Sequence, residues 1–156
     1  MKQFVNRLRD MFVQNWSAAI SSNAKLESYC LYKNTFMFEP YLDALNIRKF
    51  RCIYVNFRTS CHDLEIEKAR YRNIPRSDRI CRMCNSDTIE NEYHFLLRCD
   101  FYSELRTMYI PRKYLNNVCM QKFVMLMSCR NEKVIKSVAT YLYHAFRKRS
   151  SFLSST

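Results

Sequence analysis

The 156-residue sequence has no glycine and only three prolines. Walker-type phosphate loops and dinucleotide-binding loops both need glycine where the backbone approaches a phosphate, so the sequence excludes both kinds of site. Glycine-rich turns and two-residue hairpins must likewise be scarce or built from other residues. Because 48% of the residues are hydrophobic, the chain can bury a core of its own, and its composition favours helices.

The sequence also lacks an apolar run of membrane-spanning length, and no apolar segment of signal-peptide length precedes its first charges. We therefore expect an intracellular protein, in the nucleus or the cytoplasm, with no membrane partner. In a reducing compartment, clustered cysteines indicate a metal site and scattered cysteines are expected in the core. The scattered ones are Cys30, Cys52, Cys61, Cys119 and Cys129.

Acidic residues are few, 14 against 26 Lys and Arg, which gives a net charge of +12. Two blocks carry +6 each: residues 48–82, with ten basic and four acidic residues, and residues 122–156, with seven and one. They flank a near-neutral centre. This asymmetry favours a polyanionic partner, with nucleic acid ahead of a membrane surface, although a solvated helix face would carry the same charge.

Apolar residues recur at helical spacing along most of the chain. Amphipathic helices are predicted at 3–20, 47–57, 117–128 and 132–148. Residues 59–80 are predicted to be linker-like or extended, with a strand-like alternation at 64–67 and with Glu65 and Glu67 on a charge-balanced surface. The predicted fold class is a mainly α domain with little β-structure, as one module over 1–149 followed by a flexible tail at 150–156.

Four side chains of metal-ligand type lie within 19 residues, in the pattern Cys81-x2-Cys84-x9-His94-x4-Cys99. Cys-x-x-Cys in a tight turn presents two thiolates to one ion, and a His and a Cys on a following helix complete a tetrahedron. Four protein ligands leave no open position, and three thiolates with one imidazole suit Zn²⁺ better than an iron–sulfur cluster. The sequence therefore predicts a structural zinc site at about 79–100, with a hairpin or turn around 79–88.

The second half of this pattern raises a geometric problem. Asp87 and Glu90 resemble a capping box that opens a helix running through His94 towards Cys99. Five residues on a regular helix rotate a side chain by roughly 140°. Cys99 is therefore expected at a bent or frayed helix end.

The residues around the site resemble those of a known family. They are Phe38-Glu39-x-Tyr41-Leu42, Arg58-Thr59-Ser60-x-His62-x-Leu64-x-Ile66-Glu67, Arg70-Tyr71-x-Asn73-Ile74-Pro75-Arg76, Arg79-Ile80-Cys81-x-x-Cys84 and Glu92-Tyr93-His94-Phe95-Leu96-Leu97-x-Cys99. Over 26–106 the chain is similar to the C-terminal zinc-binding region of the reverse-transcriptase proteins of non-LTR retrotransposons. The resemblance implies a module that follows a polymerase domain and helps to hold template RNA or target DNA, with the same four metal ligands. Ala69 and Asp100 depart from the family, which often has Gly and Pro there.

A polymerase needs clustered aspartates that hold two metal ions, whereas no two of the six aspartates are adjacent, so we do not expect this chain to be an enzyme. The expected function is a zinc-stabilised basic module that binds RNA or single-stranded DNA. Its predicted nucleic-acid contacts are Arg48, Lys49, Arg51, Arg58, Arg70, Arg72, Arg76, Arg79 and Arg82, with Tyr71 and Tyr93 either stacking on unpaired bases or simply packing. The alternative is a protein-interaction module that docks on a reverse-transcriptase domain or an assembly partner.

Overall fold

The computed structural model of the chain describes residues 2–155, and 69% of it is helical. Since about one third is typical of globular proteins, the predicted mainly α fold class is confirmed. The α-helices in the described range are α1 (Lys2–Ser21), α2 (Glu27–Tyr32), α3 (Tyr41–Ala44), α4 (Arg48–Arg58), α5 (Glu65–Lys68), α6 (Ser103–Tyr109), α7 (Arg112–Leu115), α8 (Met120–Met127) and α9 (Glu132–Ser154). No helix between residues 2 and 155 combines the length and the apolar character that a bilayer crossing requires.

Helix α9 lies at the centre of the core, with α3, α4 and α6 packed against it. Its apolar stripe contains Val138, Leu142 and Ala145, at helical spacing and all fully buried. The stripe continues through the buried Arg149, and Leu153 packs on the core further along. The predicted flexible tail at 150–156 is therefore wrong in its boundary, because α9 remains helical through Ser154.

Turns in this glycine-free chain are made by other residues, as expected. Ser60, Asn73, Asp87 and Asn117 have φ angles of 53°, 55°, 47° and 51°. Asn and Asp tolerate this left-handed region better than other non-glycine residues, because their short polar side chains can bond to the local backbone. The absence of glycine therefore does not keep the chain from making tight turns.

Residues 59–80 form part of the domain body, so the prediction of a linker-like or extended segment is wrong. Leu64 and Ala69 are fully buried, and Ile66 is 4% exposed. The predicted strand at 64–67 is instead the short helix α5, in which Lys68 N donates to Leu64 O at 2.9 Å. A four-residue alternation does not separate a strand from one helical turn when both sides of the segment are buried.

The scattered cysteines were expected in the core, and that prediction is also wrong. Cys52, Cys61 and Cys119 are exposed, while Cys30 and Cys129 are half-buried. In α4 the reason is helical geometry. Cys52 lies two residues from the buried Tyr54, which puts it on the opposite side of the helix.

Candidate metal centre and basic surface

The four predicted metal ligands converge on one point. One ligand atom from each of Cys81, Cys84, His94 and Cys99 lies within 4.8 Å of the others. The Sγ atoms of Cys81 and Cys99 are 3.8 Å apart, and Cys84 Sγ lies 3.3 Å from His94 Nε2. Tetrahedral coordination with metal–ligand bonds of about 2.0–2.3 Å has edges of roughly 3.3–3.8 Å. The cluster could therefore hold a metal ion.

A hairpin supplies the first two ligands, as the sequence predicts. Ile80 and Ile89 form an antiparallel bridge. On either side of it, Cys81 N donates to Thr88 O at 2.9 Å and Glu90 N donates to Arg79 O at 2.9 Å. The loop then bends so that Met83 N donates to the sulfur of Cys81 at 3.4 Å. A backbone N–H aimed at this sulfur favours its thiolate form.

The helix that supplies His94 begins differently from the prediction. Asn91 caps it, because its Oδ1 accepts a hydrogen bond from His94 N at 2.8 Å. The predicted capping box of Asp87 and Glu90 is wrong. Asp87 makes a left-handed turn in the hairpin, and the carboxylate of Glu90 is buried in an ion pair with Arg149.

The turn between His94 and Cys99 solves the geometric problem posed by their spacing. Residues His94–Arg98 form one turn of π-helix, and Cys99 N donates to His94 O at 2.8 Å, an i to i−5 bond. A π turn is wider than an α turn, so each residue rotates less about the axis and the fifth residue returns closer to its starting direction. The expected bend at Cys99 is thus a wide turn that carries His94 and Cys99 to the same ion site.

Side chains from α6 and α9 satisfy carbonyl groups of this π turn. Arg106 Nε donates to Leu96 O at 3.1 Å, and its Nη2 donates to Cys99 O. The Tyr141 hydroxyl donates to Phe95 O at 2.7 Å. Arg106 is 8% exposed and Tyr141 fully buried. Because buried carbonyls need partners, these two side chains stabilise a turn that the regular helix ladder leaves partly unpaired.

The ligand cluster is mostly shielded from solvent. Cys99 is fully buried, Cys81 and His94 are each 4% exposed, and Cys84 is half-buried. The hydrogen bond between the two sulfurs lowers the pKa of Cys81 and raises that of Cys99, whose burial acts in the same direction. Cys81 is therefore the more readily deprotonated of the two, and a bound cation would favour the thiolate form of both.

Sequence reasoning missed a buried ion pair beside the metal centre. Arg149 of α9 binds Glu90 with two bonds, Nε to Oε1 at 2.9 Å and Nη2 to Oε2 at 2.7 Å. Glu90 Oε1 also lies 3.9 Å from Cys81 Sγ. The pair joins the end of α9 to the hairpin. One feature of the sequence could have indicated this pair. Arg149 lies eleven residues, about three helical turns, after Val138 and therefore falls on the apolar stripe of α9.

A second missed group surrounds Glu92, which is 2% exposed. Ser28 and Ser60 donate to its two oxygens at 2.8 and 2.7 Å, and His62 Nε2 lies 3.1 Å from Oε1. Burial alone would raise the pKa of Glu92, but the hydrogen bond and charge of His62 together with the Ser60 hydroxyl lower it to about 2. The network fixes the segment before His94 against α2 and the turn after α4.

Arg58 was predicted to contact phosphate, and that prediction is wrong. The residue is 3% exposed, and its guanidinium donates to Met127 O and pairs with Glu39 at 3.2 Å. The guanidinium carbon lies 4.6 Å from the ring centre of Tyr32 and 5.1 Å from that of Tyr41. Aromatic rings and the half-buried carboxylate of Glu39 compensate its charge.

Five other predicted phosphate contacts lie close to the metal centre in sequence and are called here the arginine flank: Arg70, Arg72, Arg76, Arg79 and Arg82. Arg70 Nη2 donates to Glu67 Oε1 at 2.9 Å, and Arg72 pairs with Glu65. Glu65 and Glu67 are 5% and 3% exposed. Their predicted place on a charge-balanced surface is therefore wrong, because flanking guanidiniums compensate them in the interior.

The remaining flank residues are also engaged by the fold. Arg76 pairs with the exposed Glu27, and Arg82 Nε lies 3.8 Å from a Glu65 oxygen. Arg79 donates to Ile74 O at 3.0 Å and to Ile66 O at 2.8 Å. The arginines of the flank therefore all contact carboxylate or carbonyl oxygens of their own chain.

A different basic surface forms where α4 packs against α9, and it is called here the α4–α9 ridge: Arg48, Lys49, Tyr143 and Arg147. Lys49 Nζ lies 4.8 Å from the ring centre of Tyr143, and Arg147 Nη1 donates to the Tyr143 hydroxyl at 3.2 Å. Arg48, Lys49 and Arg147 are exposed. Within residues 2–155 no carboxylate lies at ion-pair distance from these three cations. Helix packing thus joins cations from the two +6 blocks on one surface.

The remaining predicted contacts lie in different surroundings. Arg51 is half-buried on α4. Tyr71 is 76% exposed within the arginine flank, so its ring is open to solvent. Tyr93 is half-buried beside the metal ligand His94, and its ring lies 6.0 Å from that of Phe123 in an edge contact. Tyr71 therefore has the ring face that stacking requires, whereas Tyr93 is mainly a packing residue.

No protein-family model, curated protein or solved structure matches this chain.

Proposed function

We propose that this protein is a zinc-stabilised module that binds RNA or single-stranded DNA through the α4–α9 ridge. The observation that carries the binding part is the meeting of Lys49 and Arg147 around one tyrosine ring, from sequence blocks nearly 100 residues apart. The sequence resemblance to the zinc-binding region of retrotransposon reverse transcriptases supports the same class of partner. The chain itself has a structural and binding role, without catalysis.

Zinc is the metal that the ligand set favours. Three thiolates and one imidazole at tetrahedral spacing suit Zn²⁺, which has no geometric preference of its own and binds both donors well. Four protein ligands leave no position for water or substrate, so the ion would fix the hairpin against the π turn. Structural zinc contributes folding free energy directly, because the ligands are brought together only in the folded state.

The ridge supports nucleic-acid binding because its cations are exposed and face no carboxylate. A phosphate that approaches Arg48, Lys49 or Arg147 displaces counterions rather than a protein side chain. The rings of Phe50 and Tyr143 are 5.4 Å apart. Lys49 Nζ lies 5.1 Å from the ring centre of Phe50, and the guanidinium carbon of Arg147 lies 5.6 Å from that of Tyr143. Arginine and lysine interleaved with aromatic rings are typical of surfaces that bind unpaired RNA or DNA.

The test replaces Arg48, Lys49 and Arg147 together with alanine and measures binding of a single-stranded RNA and a single-stranded DNA at several salt concentrations. We expect weaker binding to all sequences and a salt slope flatter by roughly 0.7 for each phosphate group that the variant no longer binds, or about 2 in total. Metal content and thermal unfolding should stay unchanged, since the three residues are exposed and none is a ligand.

The matched control replaces Lys68, Arg112 and Lys113, which are exposed elsewhere on the molecule, and removes the same charge. If the ridge variant and the control lower affinity equally, binding depends on net charge alone and the ridge has no special role. If the ridge variant binds as the parent does at every salt concentration, the proposal is wrong.

A further inference from the structure

Helix α1 carries an apolar face that no other part of residues 2–155 covers. Its exposed hydrophobic side chains are Phe4, Val5, Leu8, Met11 and Phe12, which are 50–67% exposed. The helix is seated on the body through its C-terminal half, where Trp16 and Ile20 are half-buried. Phe36 bridges the two parts, since its ring lies 5.1 Å from that of Phe12 and 5.4 Å from that of Trp16.

The exposed residues form one stripe along the helix. Phe4, Leu8 and Met11 are spaced i, i+4 and i+7, and Phe12 lies next to Met11 at i+8. At about 100° per residue they share one side of α1. This is the anchor spacing by which amphipathic helices bind an apolar partner surface. The stripe is therefore arranged for a partner that runs along the helix.

The size of the stripe puts it at the upper end of the range for the largest apolar patch on a monomer, and patches of that size are often functional. The five side chains with Phe36 expose on the order of 600 Å², and the largest apolar patch on a typical monomer is roughly 300–600 Å². A standard protein–protein interface buries roughly 800 Å² on each partner. One helix laid along α1 would cover the stripe, so the area fits a single helical segment.

Charge on both sides of the stripe restricts the partner. Arg7 lies next to Met11 on one side, Arg9 lies next to Phe12 on the other, and Asp10 lies on the opposite side of the helix, given about 100° per residue. Both arginines are exposed. In the described part of the chain no carboxylate is at ion-pair distance from either. The apolar stripe therefore has two basic borders.

We propose that this face of α1 binds an amphipathic helix of another protein whose own apolar stripe is bordered by acidic residues. A second copy of this chain is a poor occupant. A two-fold contact on the stripe would bring Arg7 and Arg9 against their own copies, between two molecules that each carry a net charge of +12. The proposal is independent of the α4–α9 ridge, which lies on other helices.

The experiment uses the full chain and two synthetic three-heptad peptides with leucine at positions a and d. One peptide has glutamate at the bordering e and g positions, and the other has lysine there. Trp16 is the only tryptophan in the chain. It lies on α1 in contact with Phe36, so its fluorescence reports binding of a peptide to the stripe. We expect the glutamate peptide to bind saturably and the lysine peptide to bind at least tenfold more weakly.

Two variants locate the site. Leu8→Asn should weaken binding of the glutamate peptide at least tenfold, whereas Met108→Asn, at a 69% exposed residue of α6, should leave it unchanged. A double variant, Arg7→Glu with Arg9→Glu, should reverse the preference in favour of the lysine peptide. Circular dichroism of each variant should match the parent, because all four positions are exposed.

Four results would overturn the proposal. The first is failure of the glutamate peptide to bind. The second is a loss of selectivity, in which the two peptides bind equally well or the glutamate peptide binds Leu8→Asn as tightly as it binds the parent. The third is a concentration-dependent dimer that Leu8→Asn abolishes, which would make a second copy the occupant. The fourth is sedimentation of the parent, but not of Leu8→Asn, with phosphatidylserine vesicles, which would make a lipid surface the occupant.

Discussion

Two basic surfaces of this protein contain the same kinds of residue but face different groups. In the arginine flank, Arg70 and Arg72 meet Glu67 and Glu65, two carboxylates that are 3% and 5% exposed. On the α4–α9 ridge, Lys49 and Arg147 meet the ring and hydroxyl of Tyr143. The flank compensates buried charge of its own chain, whereas the charge of the ridge is uncompensated.

The difference shows that the number of cations in a sequence is not the number available to a ligand. A phosphate on the flank would have to displace a carboxylate, and the displaced group would then be buried without a partner. A phosphate on the ridge displaces only mobile ions. We therefore expect the cations of the flank to determine stability and the cations of the ridge to determine the charge-dependent part of affinity, and variants at the two surfaces test that division.

The largest effect is expected from removing the metal, which should separate the two surfaces. Chelation, or Cys84→Ser, should loosen residues 79–100 by a free energy on the order of 10 kcal/mol, as in small zinc peptides. The ridge helices α4 and α9 should remain folded, because their mutual packing is apolar. Hydrogen exchange mapped along the chain, with zinc content by mass spectrometry, measures both outcomes.

Cys52→Ser is the control for this experiment, since Cys52 is exposed and outside the cluster. Its zinc content and exchange pattern should equal those of the parent. Unchanged exchange at 79–100 in metal-free protein would show that the metal has no structural role. Loss of protection throughout the chain would show instead that the two surfaces depend on one cooperative unit.

The second-largest effect is expected at Arg149, and Arg147 on the same helix is its comparison. Arg149→Met leaves Glu90 buried without its cation, and we expect a loss of about 3–5 kcal/mol in the free energy of unfolding. Arg147→Met, two residues earlier at an exposed position, should change that free energy by less than about 0.5 kcal/mol. Urea unfolding of the two variants measures both. Equal losses of stability would mean that the burial of Arg149 and its pairing with Glu90 do not set it apart from the exposed Arg147.

How far the sequence predicts the structure depends on sequence separation. The ligands Cys81 to Cys99 were found because a local spacing contains the chemistry of the site. The partner of Glu90 lies 59 residues away in Arg149, and no local pattern indicates such a pairing. The prediction that Glu65 lies on a charge-balanced surface failed for the same reason, since its burial depends on Arg72 and Arg82, which lie further along the chain.

A smaller effect distinguishes two members of the flank. Arg70→Gln removes the cation beside Glu67. Burial raises the pKa of Glu67, and Arg70 opposes that effect. We therefore expect the variant to lose about 1–3 kcal/mol in the free energy of unfolding. Arg76→Gln should cost less than about 0.5 kcal/mol, because its partner Glu27 is exposed. Thermal unfolding gives the stability. If the flank contacts phosphate, as the sequence predicts, each change should also flatten the salt slope by roughly 0.7; if only the ridge does, the slopes stay equal.

The smallest effect concerns the one aromatic ring of the flank that is open to solvent. Tyr71 is 76% exposed, and a single exposed stacking contact contributes about 1 kcal/mol to binding of an unpaired base. Tyr71→Ala should therefore weaken binding of single-stranded RNA by about fivefold, while Tyr71→Phe, which keeps the ring, should bind as the parent does. The salt slope should not change, because the substitution removes no cation.

A duplex of equal length is the control ligand. Its bases are already stacked inside the helix, so its binding should not respond to the substitution. If Tyr71→Ala binds the single strand as tightly as the parent, the flank contributes no stacking; if the Arg70→Gln and Arg76→Gln variants also keep the parent's salt slope, the binding surface is confined to α4 and α9. If it instead lowers duplex and single-strand affinity alike, the ring acts on the fold of the flank rather than on a base.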